Sequence, residues 1–252
     1  MDKPLAGRTA LITGSGRNLG KGAALALAGA GANIVLNGHR DQAALDAAAA
    51  EVKALGVDAM TIIADASDAV QVQRMVDQAA ERFGSVDIAI ANVGLRPRQA
   101  FLDISVEDWD RVLKTNLSSC FYLARVVLPK MKQRKWGRII HISGRDGFWT
   151  IPLRAHNVTC KAGMHSLAKA IALEFGEFGI TANTIAPGKM DTVREDTHYP
   201  GYREAWEKAR QAMPLRRLGT PEDVGQACLY ICTGGEYVTG QLLHLNGGEF
   251  LY

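Results

Sequence analysis

Runs of apolar and β-branched residues occur at 9–13, 33–37, 59–63, 86–91, 138–143, 180–185 and 241–245, each of strand length. They are apolar throughout instead of alternating, the pattern of strands covered on both faces. Between them, 23–30, 42–55, 69–83, 106–134, 161–178 and 221–232 carry apolar residues at helical spacing. Met164, Leu167, Ile171 and Phe175, for example, fall on one stripe. Strands that alternate with helices pair in parallel through right-handed crossovers. The pattern therefore predicts an α/β fold: a Rossmann-type doubly wound parallel sheet of about seven strands, with helices on both faces.

No Pro/Gly/Ser linker, repeat or low-complexity block divides the chain, although 43–50 is alanine-rich, so residues 1–252 are expected to form one domain. Segment 191–214 breaks the alternation: it is rich in charges and aromatics and bounded by Pro187-Gly188 and Pro214. It reads either as a lid over a substrate pocket or as a plain surface insertion.

Composition narrows the class. The 252 residues are 47% apolar and 22% charged, enough to bury a sizeable core, and the formal charge is only +3. The densest basic cluster, Lys130, Lys132, Arg134, Lys135 and Arg138, reads as a solvated helix end, so no nucleic-acid partner is expected. Cys120, Cys160, Cys228 and Cys232 show no CxxC spacing, which favours reduced thiols, no metal and a cytoplasmic setting. Residues 1–8 lack the apolar run of a signal peptide, and nothing approaches the ~18 apolar residues of a membrane span.

The first strand runs into Thr13-Gly14-Ser15-Gly16-Arg17-Asn18-Leu19-Gly20, which opens the first helix. Glycines there allow close backbone approach, and a helix N-terminus offers unpaired N–H donors to a pyrophosphate. The spacing is GxGxxxG, and the segment resembles the TGxxxGxG turn of the short-chain dehydrogenase/reductase family, with Asn18 at the middle glycine. Asn is the side chain that best tolerates positive φ there. The resemblance continues through Asp65 and Ala66, Ala91-Asn92-Val93-Gly94, Asn116-Leu117, Asn183 to Gly188 with Pro187, and Thr192, then Thr239-Gly240-Gln241 and Asn246-Gly247-Gly248. It is strongest to the 3-oxoacyl-(acyl-carrier-protein) reductase branch. It implies an oxidoreductase with a dinucleotide along these residues, Asp65 at the adenine, and pairing of chains through the helices 106–134 and 155–178 as a homotetramer or dimer.

Charge argues the choice of dinucleotide. An NAD site places an acid at the end of the second strand, whereas a 2′-phosphate needs that acid absent and an Arg nearby. Here the run is Leu36-Asn37-Gly38-His39-Arg40, with no acid before Asp41, and Arg17 offers a second guanidinium. NADP(H) is the expected cofactor.

The family's YxxxK pair is altered. Its Lys is Lys161, but the Tyr position is Asn157 and the Ser position, thirteen residues earlier, is Gly144. Ser143 could serve if the loop shifts by one residue. General acid catalysis contributes typically ~10²- to 10⁴-fold, or roughly 3 to 5 kcal/mol of barrier. Asn157 can orient a substrate oxygen but cannot deliver its proton. His156 points about 100° away around the helix, Cys160 lies on nearly the same face as Asn157, and Tyr199 and Tyr202 of segment 191–214 could swing a phenol inward. Asn116 is expected to help a water chain reach Lys161, and His141 to pack or hydrogen-bond. Dienoyl-thioester reductases of the superfamily likewise lack the Tyr and keep the Lys. The expected activity is hydride transfer to or from a small carbonyl, enone or imine; the alternative is a catalytically idle NADP(H)-binding sensor or structural subunit.

Overall fold

The computed structural model describes residues 3–193 and 201–251, apart from the Arg203 side chain. Its strands are β1 (Thr9–Ile12), β2 (Asn33–Gly38), β3 (Ala59–Ile63), β4 (Ile88–Ala91), β5 (Gly137–Ile142), β6 (Ile180–Pro187) and β7 (Leu242–Leu245). They form one sheet in the order β3-β2-β1-β4-β5-β6-β7, every pair parallel. Chain order reverses between β1 and β4, and in an open α/β sheet that point opens a crevice at the strands' carboxyl ends. The inner strands β1, β4, β5 and β6 are buried at every residue, which explains their uninterrupted apolar runs.

Two layers of helix cover the sheet. One core joins it to α1 (Asn18–Gly29), α2 (Gln42–Lys53) and α8 (Pro221–Thr233) through Leu27, Leu45, Val224 and Ile231. The other joins it to α3 (Ala69–Phe83), α5 (Ser119–Arg134) and α6 (Ala155–Phe175) through Met75, Leu123, Met131 and Met164. Local chemistry fixes the helix ends. Asp68 caps α3 by accepting from the Val70 and Gln71 N–H groups, and Thr220 and Asp223 form a capping box on α8. Helices α1 and α8 cross at glycines: a Cβ on Gly22 would lie 2.2 Å from the Pro221 carbonyl oxygen, and one on Gly225 2.4 Å from that of Gly22.

Three boundaries differ from the sequence pattern. The helix expected over 106–134 is α4 (Val106–Leu113), a π-helical turn Lys114–Ser118, and α5. The π-helical turn adds a residue and rotates the apolar stripe of α5 relative to that of α4, an offset that spacing within either segment alone does not show. Helix α6 begins at Ala155, ahead of the apolar pattern, whose stripe its first turns interrupt with the buried polar residues His156, Asn157 and Lys161. Segment 191–214 holds α7 (Tyr202–Ala212); 194–200, with Tyr199, lie outside the described residues. Arg138, expected among solvated charges, is only 3% exposed. Its guanidinium donates to the Gly137 and Gly179 carbonyls and lies over the Trp136 ring. No helix among the described residues is long and apolar enough to cross a membrane.

Candidate active site

The carboxyl ends of β1, β2, β4, β5 and β6 open into one cleft of about 970 Å³. One end of it is built by the loop between β1 and α1. Gly14 has φ +62°, and a Cβ on Gly20 would lie 2.5 Å from the Gly14 carbonyl oxygen, so both positions require glycine. Asn18 takes φ +52°, the left-handed conformation expected of the residue replacing the middle glycine. Its side chain donates to the Val193 carbonyl and accepts from the Val193 N–H, tying the loop to the chain beyond β6. Asn92 donates to the carbonyls of Thr13 and Gly14 at 3.0 and 2.9 Å, which fixes the turn from the β4 side.

Gly14, Gly16, Arg17, Asn18 and Leu19 line this end together with His39, Arg40, Asp65 and Ala66, while Gly20 supports the loop from behind. Burial pushes the Asp65 carboxyl up, but donation from the Ser67 N–H and hydroxyl, with His39 nearby, holds it below its ordinary value. Asn92, Gly94, Pro187, Gly188 and Thr192 line the middle and far wall. A Cβ on Gly188 would lie 2.9 Å from both Asn246 and Glu249, so this glycine lets the C-terminal segment cross close behind the cleft. Neither Arg17 nor Arg40 has a carboxylate within ion-pair distance among the described residues. Two unpaired guanidiniums, a glycine turn and the open N-terminus of α1 fit a phosphorylated dinucleotide.

Lys161 stands at the other end, 5% exposed. Its Nζ donates to the Ile142 carbonyl at 3.1 Å, with Met164 Sδ at 3.6 Å. Burial, reinforced by the charge of Arg96, pushes its ammonium down to about 8. Gly94 leaves the space before it open: a Cβ there would lie 3.6 Å from Asn116 Oδ1 and 3.8 Å from Lys161 Nζ. The π-helical turn sets Asn116, fully buried behind the wall, so that its Oδ1 accepts from the Leu95 N–H at 2.6 Å. Its Nδ2 donates to the Leu95 carbonyl at 2.8 Å and to Asn157 Oδ1 at 3.2 Å.

Asn157 in turn donates from Nδ2 to Asp146 Oδ2 at 2.7 Å, and Arg154 donates to the same oxygen at 2.9 Å. Asn116, Asn157, Asp146 and Arg154 thus form one row beside Lys161. Asp146 sits on the 3-10 turn Arg145–Gly147. A Cβ on Gly147 would lie 2.6 Å from His165 and 2.9 Å from the Lys161 backbone, so glycine lets this turn press onto α6. The sequence reading missed Asp146. Its signal was present: it is the single carboxylate between 143 and 154, two residues past the position compared with the family Ser.

The other candidates differ in their placement. Ser143 lines the cleft, and its hydroxyl is engaged by His165 Nε2 at 2.8 Å and donates to the Lys161 carbonyl at 3.4 Å. His156 turns its ring to Gln99 and accepts from the Asn157 N–H, away from the cleft. Cys160 is buried against the Val112 carbonyl, and burial pushes its thiol up to about 11, which leaves it protonated. Tyr202 packs edge-on to Trp206 and does not line the cleft. His141 is buried with Nδ1 on the Met164 carbonyl, and burial pushes it down to about 4.

A family model described as enoyl-(acyl carrier protein) reductase matches residues 14–249. The 3-oxoacyl-(acyl-carrier-protein) reductase FabG of Staphylococcus aureus is 32% identical over 245 residues, covering 97% of this chain and 98% of the relative. The corresponding reductase of Synechocystis is 32% identical over 250 residues, covering 98% and 99%. Among solved structures, a protein of Agrobacterium tumefaciens provisionally assigned as a gluconate dehydrogenase superposes with a TM-score of 0.91 at 30% identity, covering 99% of this chain and 98% of that one.

Proposed function

This chain belongs to the short-chain dehydrogenase/reductase family of oxidoreductases, and we propose that it transfers hydride between NADP(H) and a small carbonyl, enone or imine. The observation that carries this reading is a cleft with Arg17 and Arg40, unpaired among the described residues, at one end and buried Lys161 at the other. The dinucleotide, when bound, supplies or accepts the hydride. Gly14, Gly16 and the N-terminus of α1 would hold its pyrophosphate, Arg17 and Arg40 its 2′-phosphate, Asp65 and Ala66 its adenine end, and Lys161 its nicotinamide ribose.

Proton handling falls to this chain's own groups. An amide at Asn157 fixes geometry, accepting from Asn116 and donating to Asp146, but does not titrate near neutrality. The group beside it that exchanges a proton near neutrality is the Lys161 ammonium, at about 8. A general acid or base works best with a pKa near the operating pH, which Lys161 satisfies. Proximity and orientation of the reacting carbon are independent of the lost phenol.

The exposed apolar side chains Phe121 on α5 and Leu173 on α6 suit pairing of chains through these two helices. All four cysteines are buried free thiols, which suits the reducing cytoplasm.

The test follows NADPH absorbance against a panel of ketones, enones and imines, then repeats it with Lys161→Ala. Turnover that falls with the substitution supports the reading. Tight NADPH binding with no turnover on any class favours the idle protein instead.

A further inference from the structure

Resting on the oxidoreductase reading above, we propose that the substrate is an anion, and that its carboxylate or phosphate group docks on the Arg96 guanidinium at the Lys161 end of the cleft. Six cationic side chains line this end: Arg96, Arg111, Arg145, Arg154, Lys161 and Lys189. Four of them are matched by carboxylates. Arg111 donates to Asp108 at 2.7 Å, Arg154 to Asp146 at 2.9 Å, and Arg145 and Lys189 share Glu249. Lys161 donates to the Ile142 carbonyl. Arg96 has no hydrogen-bond or ion-pair partner among the described residues.

Its backbone is nonetheless fixed. The preceding Leu95 is held through both its N–H and its carbonyl by Asn116, and Gln99 further along the same loop is held by the Leu153 carbonyl and Asp108. A guanidinium offered from an anchored loop, in a cleft, is suited to planar two-pronged recognition of a carboxylate or phosphate. Proximity to a second cation adds to this. Besides burial, the charge of Arg96 lowers the Lys161 ammonium, so this end of the cleft holds two positive charges in mutual repulsion. An arriving anion relieves that repulsion, whereas a neutral carbonyl compound leaves it in place.

The same logic separates the two halves of the cleft. Arg17 and Arg40, unpaired among the described residues, lie at the adenosine end, where the 2′-phosphate accounts for them. Arg96 lies beside Gly94 and Lys161 at the reacting end, where the cofactor brings no such phosphate.

The experiment uses the full chain saturated with NADP+, titrated calorimetrically at low salt with 2-oxoglutarate, pyruvate and dihydroxyacetone phosphate, and with methyl pyruvate and acetone as neutral probes. At least one anion should bind about tenfold or more tightly than the neutral compounds, and the phosphate and carboxylate arms identify the preferred group. Arg96→Gln should weaken that anion roughly ten- to hundredfold while changing NADP+ affinity by less than about twofold. Anions that bind no better than neutral compounds, or bind Arg96→Gln unchanged, overturn the inference alone. So does an Arg96→Gln variant that loses NADP+ affinity, since Arg96 would then serve the cofactor. A wild-type chain that binds no NADP+ overturns the oxidoreductase reading, and this inference with it.

Discussion

Asn157 Nδ2 lies 2.7 Å from Asp146 Oδ2, so the residue one helical turn before Lys161 is hydrogen-bonded to a carboxylate on the turn after β5. The two belong to one local arrangement. Asn157→Tyr alone places a bulky phenol where only 1% of the residue is exposed and a carboxylate already occupies the space. Overpacking of this kind costs typically about 1–3 kcal/mol. Adding Asp146→Ala to the same chain should recover part of that loss, a non-additivity that urea unfolding of the two single variants and the double variant would measure. Simple addition of the two effects would show that the pair is uncoupled.

Arg17 and Arg40 are expected to set the choice of dinucleotide. Arg40→Ala should raise the Kd for NADPH roughly tenfold or more and leave NADH within about twofold, because a guanidinium–phosphate contact is charge-assisted. Fluorescence titration with both nucleotides decides it, and equal losses for the two would refute the role in 2′-phosphate binding.

Lys161 makes the empty protein less stable than its apolar isostere would. Its folded-state value of about 8 lies below the ordinary 10.5, so the native state binds this proton less tightly than the unfolded chain. Below about pH 8 both states are protonated and the cost of burying the charge is fully present; between about 8 and 10.5 the native state sheds the proton first and stability rises. Lys161→Met should therefore melt several degrees higher than wild type at pH 7 without nucleotide, with the gap closing as pH rises. Thermal scans at pH 7 and pH 9.5 test both the sign and the trend.

His141 and His165 predict loss of stability in acid. Burial pushes both down to about 4 from an ordinary 6.5. Their stabilising contribution is intact above pH 6.5 and is lost as pH falls through that window toward 4, where the unfolded chain is protonated and the folded one is not. Urea midpoints measured from pH 7 to pH 4 should fall, and the slope should be shallower in His141→Asn, whatever that variant's stability at pH 7.

Gly22→Ala should be severe for one methyl group. The new Cβ would lie 2.2 Å from the Pro221 carbonyl oxygen, against backbone that cannot turn aside. Separation of α1 from α8 should cost at least about 2 kcal/mol in unfolding experiments. Because α1 also carries the phosphate-binding loop, NADPH affinity should fall with it. Gly29→Ala on the same helix, where nothing lies within 4 Å, is the matched control and should be near neutral.

Much of the architecture was legible from residue types alone. A fully buried parallel strand has to be apolar on both faces, so β1, β4, β5 and β6 announced themselves as uninterrupted runs. The glycine turn was equally plain, because Gly14 and Gly20 meet a steric requirement that few other residues can satisfy.

Contacts between segments distant in sequence were not legible. Apolar spacing carries no record of the π-helical turn that aims Asn116 at Leu95 and Asn157, nor of α7, whose face is largely polar. Asp146 gains meaning from the turn that presses it against α6, and Arg96 from the absence of a carboxylate beside it among the described residues. Residue type and period thus determined the sheet and the glycine turn that follows β1, because each follows from backbone sterics or burial within one segment. The partners of each buried or cleft-facing charge were decided by tertiary packing, because Coulomb and hydrogen-bond terms depend on distances that linear order does not encode.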